Sequence, residues 1–215
     1  MLEKMDAFFE ARLVGYDDHM RTAIEGAEEF YPFTARQLPE DAAHILDLGC
    51  GTGLELEYYA AINPGCAVTG IDLSAGMLAA LRAKFPNQAL TLIQGSYFDV
   101  PLGTGCFDAA VSVESLHHFT KEEKIPLYTR LRAALKPGGH FILTDYFAPD
   151  DAYEAFYRGE LLRLKAEQGI LDGDFYHYDT PLTVAHETQA LLAAGFSKVE
   201  VLQNWGATHC LKASL

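Results

Sequence analysis

Basic residues are scarce: 16 Lys+Arg stand against 30 Asp+Glu, a formal charge of -14 over 215 residues. A chain that grips a phosphate backbone needs a basic face, so this balance argues against nucleic acid as the partner. Cysteine is scarcer still. Cys50, Cys66, Cys106 and Cys210 are scattered, without a Cys-x-x-Cys pair. That excludes a disulfide framework and a zinc ribbon, and suits reduced thiols in a cytoplasmic protein. No apolar run approaches membrane-spanning length. The opening Met1-Leu2-Glu3-Lys4-Met5-Asp6 carries acids early and lacks the apolar segment of a secretory signal. No membrane partner is therefore expected. Internal repeats and low-complexity tracts are also missing. What is present is ample: 49% of residues are apolar, enough to bury the core of one ordinary domain.

The first forty residues read as a helical extension. Leu2, Met5, Phe9 and Leu13 share one face, and Met20, Ala23, Ile24, Ala27 and Phe30 form a second stripe. Gly15 separates the two helices, with Asp17 or Asp18 as the cap of the second. From His44 onward the period switches repeatedly. Strands are expected at His44–Leu48, Ala67–Ile71, Leu90–Ile93, Phe107–Val113 and His140–Thr144. Helices are expected at Leu54–Ala61, Ala75–Lys84 behind Ser74, and Lys121–Leu135. This alternation predicts βαβ units and a parallel sheet with helices on both faces. Further helices are expected at about Ala152–Gln168 and Thr183–Ala194. The alternations Val199, Val201 and Ala207, His209, Leu211 then give two strands joined through Asn204, an antiparallel hairpin. The predicted organisation is an extension over residues 1–40 and one α/β domain over 41–215, with an insertion at about 150–182.

The most informative stretch is Ile45-Leu46-Asp47-Leu48-Gly49-Cys50-Gly51-Thr52-Gly53. A buried strand enters a turn with glycine at alternate positions and then a helix, so the backbone can bend sharply and approach a ligand closely. Leu54 stands where a dinucleotide fingerprint wants Gly or Ala, and Asp47 would repel a pyrophosphate. A second acid, Asp72, ends the next strand about twenty residues on, where a ribose diol is usually held. A nucleoside without phosphates but with an ammonium group and a ribose fits both acids. S-adenosylmethionine has those groups.

These residues resemble motif I of the class I (Rossmann-like) S-adenosylmethionine-dependent methyltransferases. The resemblance runs from about Phe30 to the C-terminus through Gly95-Ser96-Tyr97-Phe98-Asp99, Phe107-Asp108-Ala109-Ala110-Val111-Ser112 and Leu135-Lys136-Pro137-Gly138-Gly139. It implies a seven-stranded, mostly parallel sheet that ends in the antiparallel hairpin, and S-adenosyl-L-methionine as cofactor. It further implies that Gly49, Gly51 and Gly53 pass the methionine moiety, that Asp47 lies near its ammonium and Asp72 on the ribose, and that Leu73 and Met77 flank the adenine. Family members often carry an acid where this chain has Ser96, so Ser96, the Tyr97 backbone or Asp99 takes that contact here.

Methyl transfer from a sulfonium is an in-line displacement that asks the enzyme mainly for alignment and exclusion of water. The acceptor belongs beyond the carboxyl ends of the fourth and fifth strands. That points to Glu114-Ser115-Leu116-His117-His118-Phe119 and Asp145-Tyr146-Phe147. His117 and His118 are candidates for a base or for orienting the acceptor, and Glu114 for holding either ligand. The extension is a candidate lid, with Tyr16 reaching the cofactor, and Phe175-Tyr176-His177-Tyr178-Asp179 a candidate wall. No His-x-x-x-His spacing occurs, so no metal is expected. The reading is a methyltransferase acting on a small molecule. An RNA-modifying methyltransferase, a carboxy-S-adenosylmethionine synthase and a non-catalytic cofactor-binding protein are the alternatives.

Overall fold

The computed structural model describes residues 1–171 and 173–215. Three short helices, α1 (Met5–Ala11), α2 (Tyr16–Ala23) and α3 (Ala27–Ala35), precede the first strand. The stripe from Met20 to Phe30 is thus two helices rather than one. Gly26 breaks it with a φ of 78°, and a Cβ there would lie 2.4 Å from Cβ of Trp205, so this glycine serves close packing as well as the turn. Asp17 and Asp18 fall inside the first turn of α2, and Gly15 takes the cap position.

The alternating units follow as β1 (His44–Leu48), α4 (Leu54–Ile62), β2 (Ala67–Asp72), α5 (Ala75–Lys84), β3 (Leu90–Gln94), β4 (Phe107–Val113), α6 (Lys121–Ala134) and β5 (Leu135–Tyr146). Here α6 ends one residue earlier than the periodicity suggests and β5 starts five earlier. Leu135 already pairs with Phe107, since Pro137 disfavours helical backbone at Lys136. Helices α7 (Asp151–Glu167) and α8 (Val184–Ala193) lead to the hairpin of β6 (Lys198–Trp205) and β7 (Thr208–Ser214). Its turn is Gly206-Ala207, not Asn204: Asn204 still pairs with His209, and Ala207 lies outside the strand.

The sheet order is β3-β2-β1-β4-β5-β7-β6, with β7 antiparallel to both neighbours and the other pairs parallel. Strand alternation splits the core into two layers. Ile45, Ala109 and Ile142 face α3, α4 and α5, whereas Leu46, Ala110 and Phe141 face α6 and α8. A buried ion pair of Lys124 and Glu187 at 2.5 Å, with the Tyr128 hydroxyl donating to the same carboxylate, locks α6 to α8. The chain runs outward from β1 in one direction and from β4 in the other, so a crevice opens between their carboxyl ends.

Candidate active site

At the end of β1 the backbone N–H groups of Gly49 and Cys50 both donate to the Ile71 carbonyl, at 2.9 and 3.2 Å, which pins the loop to β2. Gly49 has a φ of 73°, and a Cβ there would stand 2.0 Å from Oγ of Ser115. Gly51 has a φ of 47°, yet no atom lies within 4 Å of the position of its missing Cβ; its surface is open. Its N–H donates to Oδ2 of Asp72, and the Ser74 N–H to Oδ1, both at 2.9 Å. Burial raises the Asp72 carboxyl above its usual range, and these amides oppose the shift.

Gly49, Gly51, Asp72, Leu73, Met77 and Tyr97 line one cleft, and Tyr16 closes it from α2. Three other expected residues do not reach it. Gly53 caps α4 and backs onto Phe85 and Leu81. The Ser96 hydroxyl accepts from the Phe98 N–H, so it braces its own turn. Asp47 is buried on the α4 side of the sheet, where burial and the neighbouring Glu55 push its carboxyl well above the carboxylate range. Its Oδ2 and Oε1 of Glu55 are buried without a hydrogen-bond partner. The cleft holds only about 50 Å³, because Met5, Phe9 and Tyr16 sit over it. That is small beside the roughly 300 Å³ from which ligand sites begin.

Beyond it lies a cavity of about 850 Å³ under α1 and α2. Phe8, Phe9, Met20, Ile24 and Trp205 supply apolar walls; Glu114, His117, His118, His177 and Asp179 supply polar ones. Phe9, Tyr16, Glu114 and His118 line both spaces, so the two meet there. Glu114 follows β4 with a φ of 49°, the one positive value at a non-glycine residue among the described residues, a strain of the sort kept where a side chain must be aimed. Its N–H donates to the Thr144 carbonyl and its Oε1 accepts from Thr208. Burial and the nearby Asp145 push its carboxyl up to about 8.

The two histidines are held differently. Nδ1 of His117 lies 2.6 Å from Oδ1 of Asp145. That carboxylate is fixed by the N–H groups of Leu116 and Tyr146, at 2.8 and 2.9 Å. Burial opposes charge on His117, but Asp145 and Asp179 outweigh it and raise its pKa. Burial and the neighbouring His117 lower the pKa of His118. Asp179 stands at the end of the ring-rich stretch, against both imidazoles. In the sequence Asp179 stands out only as part of the candidate wall. Trp205 and Thr208, the hairpin's share of the cavity, had no signal in the sequence beyond the hairpin itself.

The first helix and that stretch are joined. The Met5 N–H donates to the Phe175 carbonyl and the His177 N–H to the Glu3 carbonyl, at 2.9 and 3.0 Å. The rings of Phe8 and His177 stack with centroids 3.5 Å apart.

This arrangement of fold and cleft is that of a nucleoside-binding α/β domain of the methyltransferase type. A family model described as a methyltransferase domain matches residues 45–139, from β1 to the start of β5. The chain is 31% identical over 117 residues to a fatty-acid O-methyltransferase of Mycolicibacterium smegmatis, covering 54% of this chain and 42% of that protein. It is 29% identical over 226 aligned residues to a carboxy-S-adenosyl-L-methionine synthase of Wolinella succinogenes, with 92% and 88% covered. The fold is shared with a solved O-methyltransferase structure from Nostoc punctiforme, at a TM-score of 0.72 and 21% identity, over 98% of this chain and 61% of that one. The chain spans about half the length of several curated relatives it matches. These matches support a class I, Rossmann-like S-adenosylmethionine-dependent methyltransferase domain, which the family model places at residues 45–139. No described helix is long and apolar enough to cross a membrane.

Proposed function

We propose that this chain transfers the methyl group of S-adenosylmethionine to a small-molecule nucleophile held in the 850 Å³ cavity. The observation that carries the reading is the shared wall: Glu114 and His118 face the cofactor cleft on one side and the cavity on the other. The cleft suits the cofactor chemically. Asp72, fixed by two amides, keeps lone pairs for a ribose diol; Leu73 and Met77 offer apolar faces for the adenine; and Gly51 leaves room for the amino-acid end. When bound, the cofactor supplies an electrophilic methyl on a good leaving group, so the chain's task is to align the acceptor and keep water out.

Entry of a molecule that size requires Met5, Phe9 and Tyr16 to move, which makes α1 and α2 a lid. Glu10 latches it: its Oε2 accepts from the Ser74 hydroxyl at 2.7 Å and from the Gly76 N–H at 3.0 Å, at the start of α5. The formal charge of -14 favours a small molecule over RNA, and the reduced cysteines suit the cytoplasm. The relatives include an O-methyltransferase of fatty acids, which supports a small acceptor of some size.

The test is formation of S-adenosylhomocysteine from the cofactor with a panel of hydroxyl, amine and carboxyl acceptors, beside calorimetric binding of the cofactor. His118→Ala is expected to lower turnover at least tenfold, the low end of what a positioned group contributes, with cofactor affinity nearly unchanged. Equal turnover of the variant removes His118 from the reaction. Cofactor binding with no product from any acceptor would favour the non-catalytic reading.

A further inference from the structure

Three donor atoms converge at the inner end of the cavity. Nε2 of His117 lies 3.4 Å from Oδ1 of Asp179, and Nδ1 of His118 lies 3.3 Å from the same oxygen. All three ligand atoms lie within 4.8 Å of one another. Zinc–nitrogen and zinc–oxygen bonds of about 2.0–2.1 Å at tetrahedral angles separate adjacent ligand atoms by about 3.3–3.4 Å. Two sides of the triangle therefore have the length of a tetrahedral edge.

A second feature is independent of these distances. The far nitrogen of His117 is held by Asp145 at 2.6 Å, and Asp145 is itself fixed by two backbone amides. A carboxylate on one imidazole nitrogen, with the other nitrogen aimed into a cavity, is how proteins orient a ligating histidine. The Tyr178 carbonyl oxygen lies 3.3 Å from Nδ1 of His118, so one more oxygen donor borders the same spot.

We propose that His117, His118 and Asp179 form a binding site for a divalent transition-metal ion of the zinc class, with an open coordination position toward the cavity. Two imidazoles and one carboxylate suit zinc and its neighbours better than magnesium or calcium, which prefer oxygen alone. An ion between Nε2 of His117 and Oδ1 of Asp179 takes the place of any proton shared there, so binding releases protons. All three residues line the cavity, so a heteroatom of a molecule bound there completes the coordination beside His118. The sequence hid this set because Asp179 lies some sixty residues beyond the adjacent histidines.

The experiment needs neither cofactor nor acceptor, so its result is separate from the methyl-transfer reading. Tag-free full chain is stripped with a chelator and titrated with cobalt(II), then with zinc(II). The expected result is one equivalent of cobalt per chain, with the visible absorption of a four-coordinate site that zinc abolishes. Asp179→Ala and His118→Ala should each weaken uptake at least tenfold, and Asp145→Asn about 10- to 100-fold. His140→Gln, whose imidazole contacts the Gln37 carbonyl away from the cavity, should leave it unchanged. The Asp179 side chain is 47% exposed, so its variant is expected to melt like the parent even if loss of buried His118 unsettles the fold. Absence of stoichiometric uptake, or uptake that a folded Asp179→Ala protein retains in full, overturns the proposal.

Discussion

The cleft proposed for the cofactor and the cavity beside it are built on opposite plans. The floor of the cleft is backbone and short side chains from two neighbouring strand ends, the turn after β1 and the end of β2: Gly49 donates to Ile71, and Gly51 and Ser74 donate to Asp72, with larger side chains such as Tyr16, Met77 and Tyr97 set around them. The cavity is made of side chains from five separate stretches: α1 and α2, the turn after β4, the end of β5, the insertion and the hairpin. Backbone constraints restrict which residues fit, so the cleft leaves a mark in consecutive sequence, and the matched family segment, 45–139, contains its turn and strand-end acid. The cavity's identity is written only in the topology that gathers its walls. One half is therefore expected to fail by sterics and the other by chemistry.

The largest effect should come from Gly49→Ala. The new Cβ would lie 2.0 Å from Oγ and 2.6 Å from Cβ of Ser115, in backbone that side chains rarely adopt. Loop and β4 turn must part, and cofactor affinity should fall by more than a hundredfold, with a lower melting temperature. Gly51→Ala sharpens the contrast. It meets no atom within 4 Å, so it should cost only about 1–2 kcal/mol of backbone strain. If the cofactor lies over it, binding still falls steeply although the protein folds. Calorimetry beside thermal melting separates the two; equal binding losses with equal melting losses would contradict it.

Asp72→Asn should come next. The amide retains one oxygen acceptor for two backbone donors and loses the charge. Cofactor affinity is expected to drop about tenfold or more, by the 1.5–3 kcal/mol that a hydrogen bond to a charged group contributes. The cavity should be untouched, so acceptor affinity measured with saturating cofactor stays level.

How much of this was legible follows from the same contrast. The βαβ order, the hairpin, the glycine turn and Asp72 were all readable, because each rests on a local period or a residue type with a backbone reason. The stripe from Met20 to Phe30 misled because its period is continuous; only the packing of Trp205 against Gly26 shows why the helix breaks. Gly53 and Ser96 stand in the right segments but serve turns. Asp47 was read as a cleft residue, yet strand alternation sends it to the face of Ile45, where Glu55 waits. Glu10 has no sequence signal and Asp179 only its place in the ring-rich wall, since their roles are fixed by tertiary contacts with Ser74 and His118.

The Asp47–Glu55 pair gives a pH test on the cleft side. Burial raises both carboxyls above their unfolded range, with Glu55 adding to the shift of Asp47. A raised folded pKa means stability that is complete below the unfolded pKa and is lost as pH rises through the folded one. Stability of the parent should therefore decline from mildly acidic toward neutral pH. Glu55→Gln removes one of the buried charges and should flatten that decline, so the two melting curves cross or converge with rising pH. Parallel melting temperatures from pH 5 to 8 would break the assignment.

The smallest effect is expected at the lid, where the two halves share Phe9 and Tyr16. Glu10 lies at the N-terminus of α5, where an acid gains from the helix dipole as well as from the Ser74 hydroxyl and the Gly76 amide. These contacts hold α1 down over a cleft too small for the cofactor, so they oppose opening rather than binding as such. Glu10→Ala should speed both cofactor association and release by roughly two- to fivefold, the range for one exposed acid at a helix terminus. Affinity should scarcely change, since both rates move together. Stopped-flow fluorescence of cofactor binding, with the Trp205 indole near the lid as reporter, reads both rates. Rates equal to the parent's would mean that α1 already opens freely and that Glu10 only caps a helix.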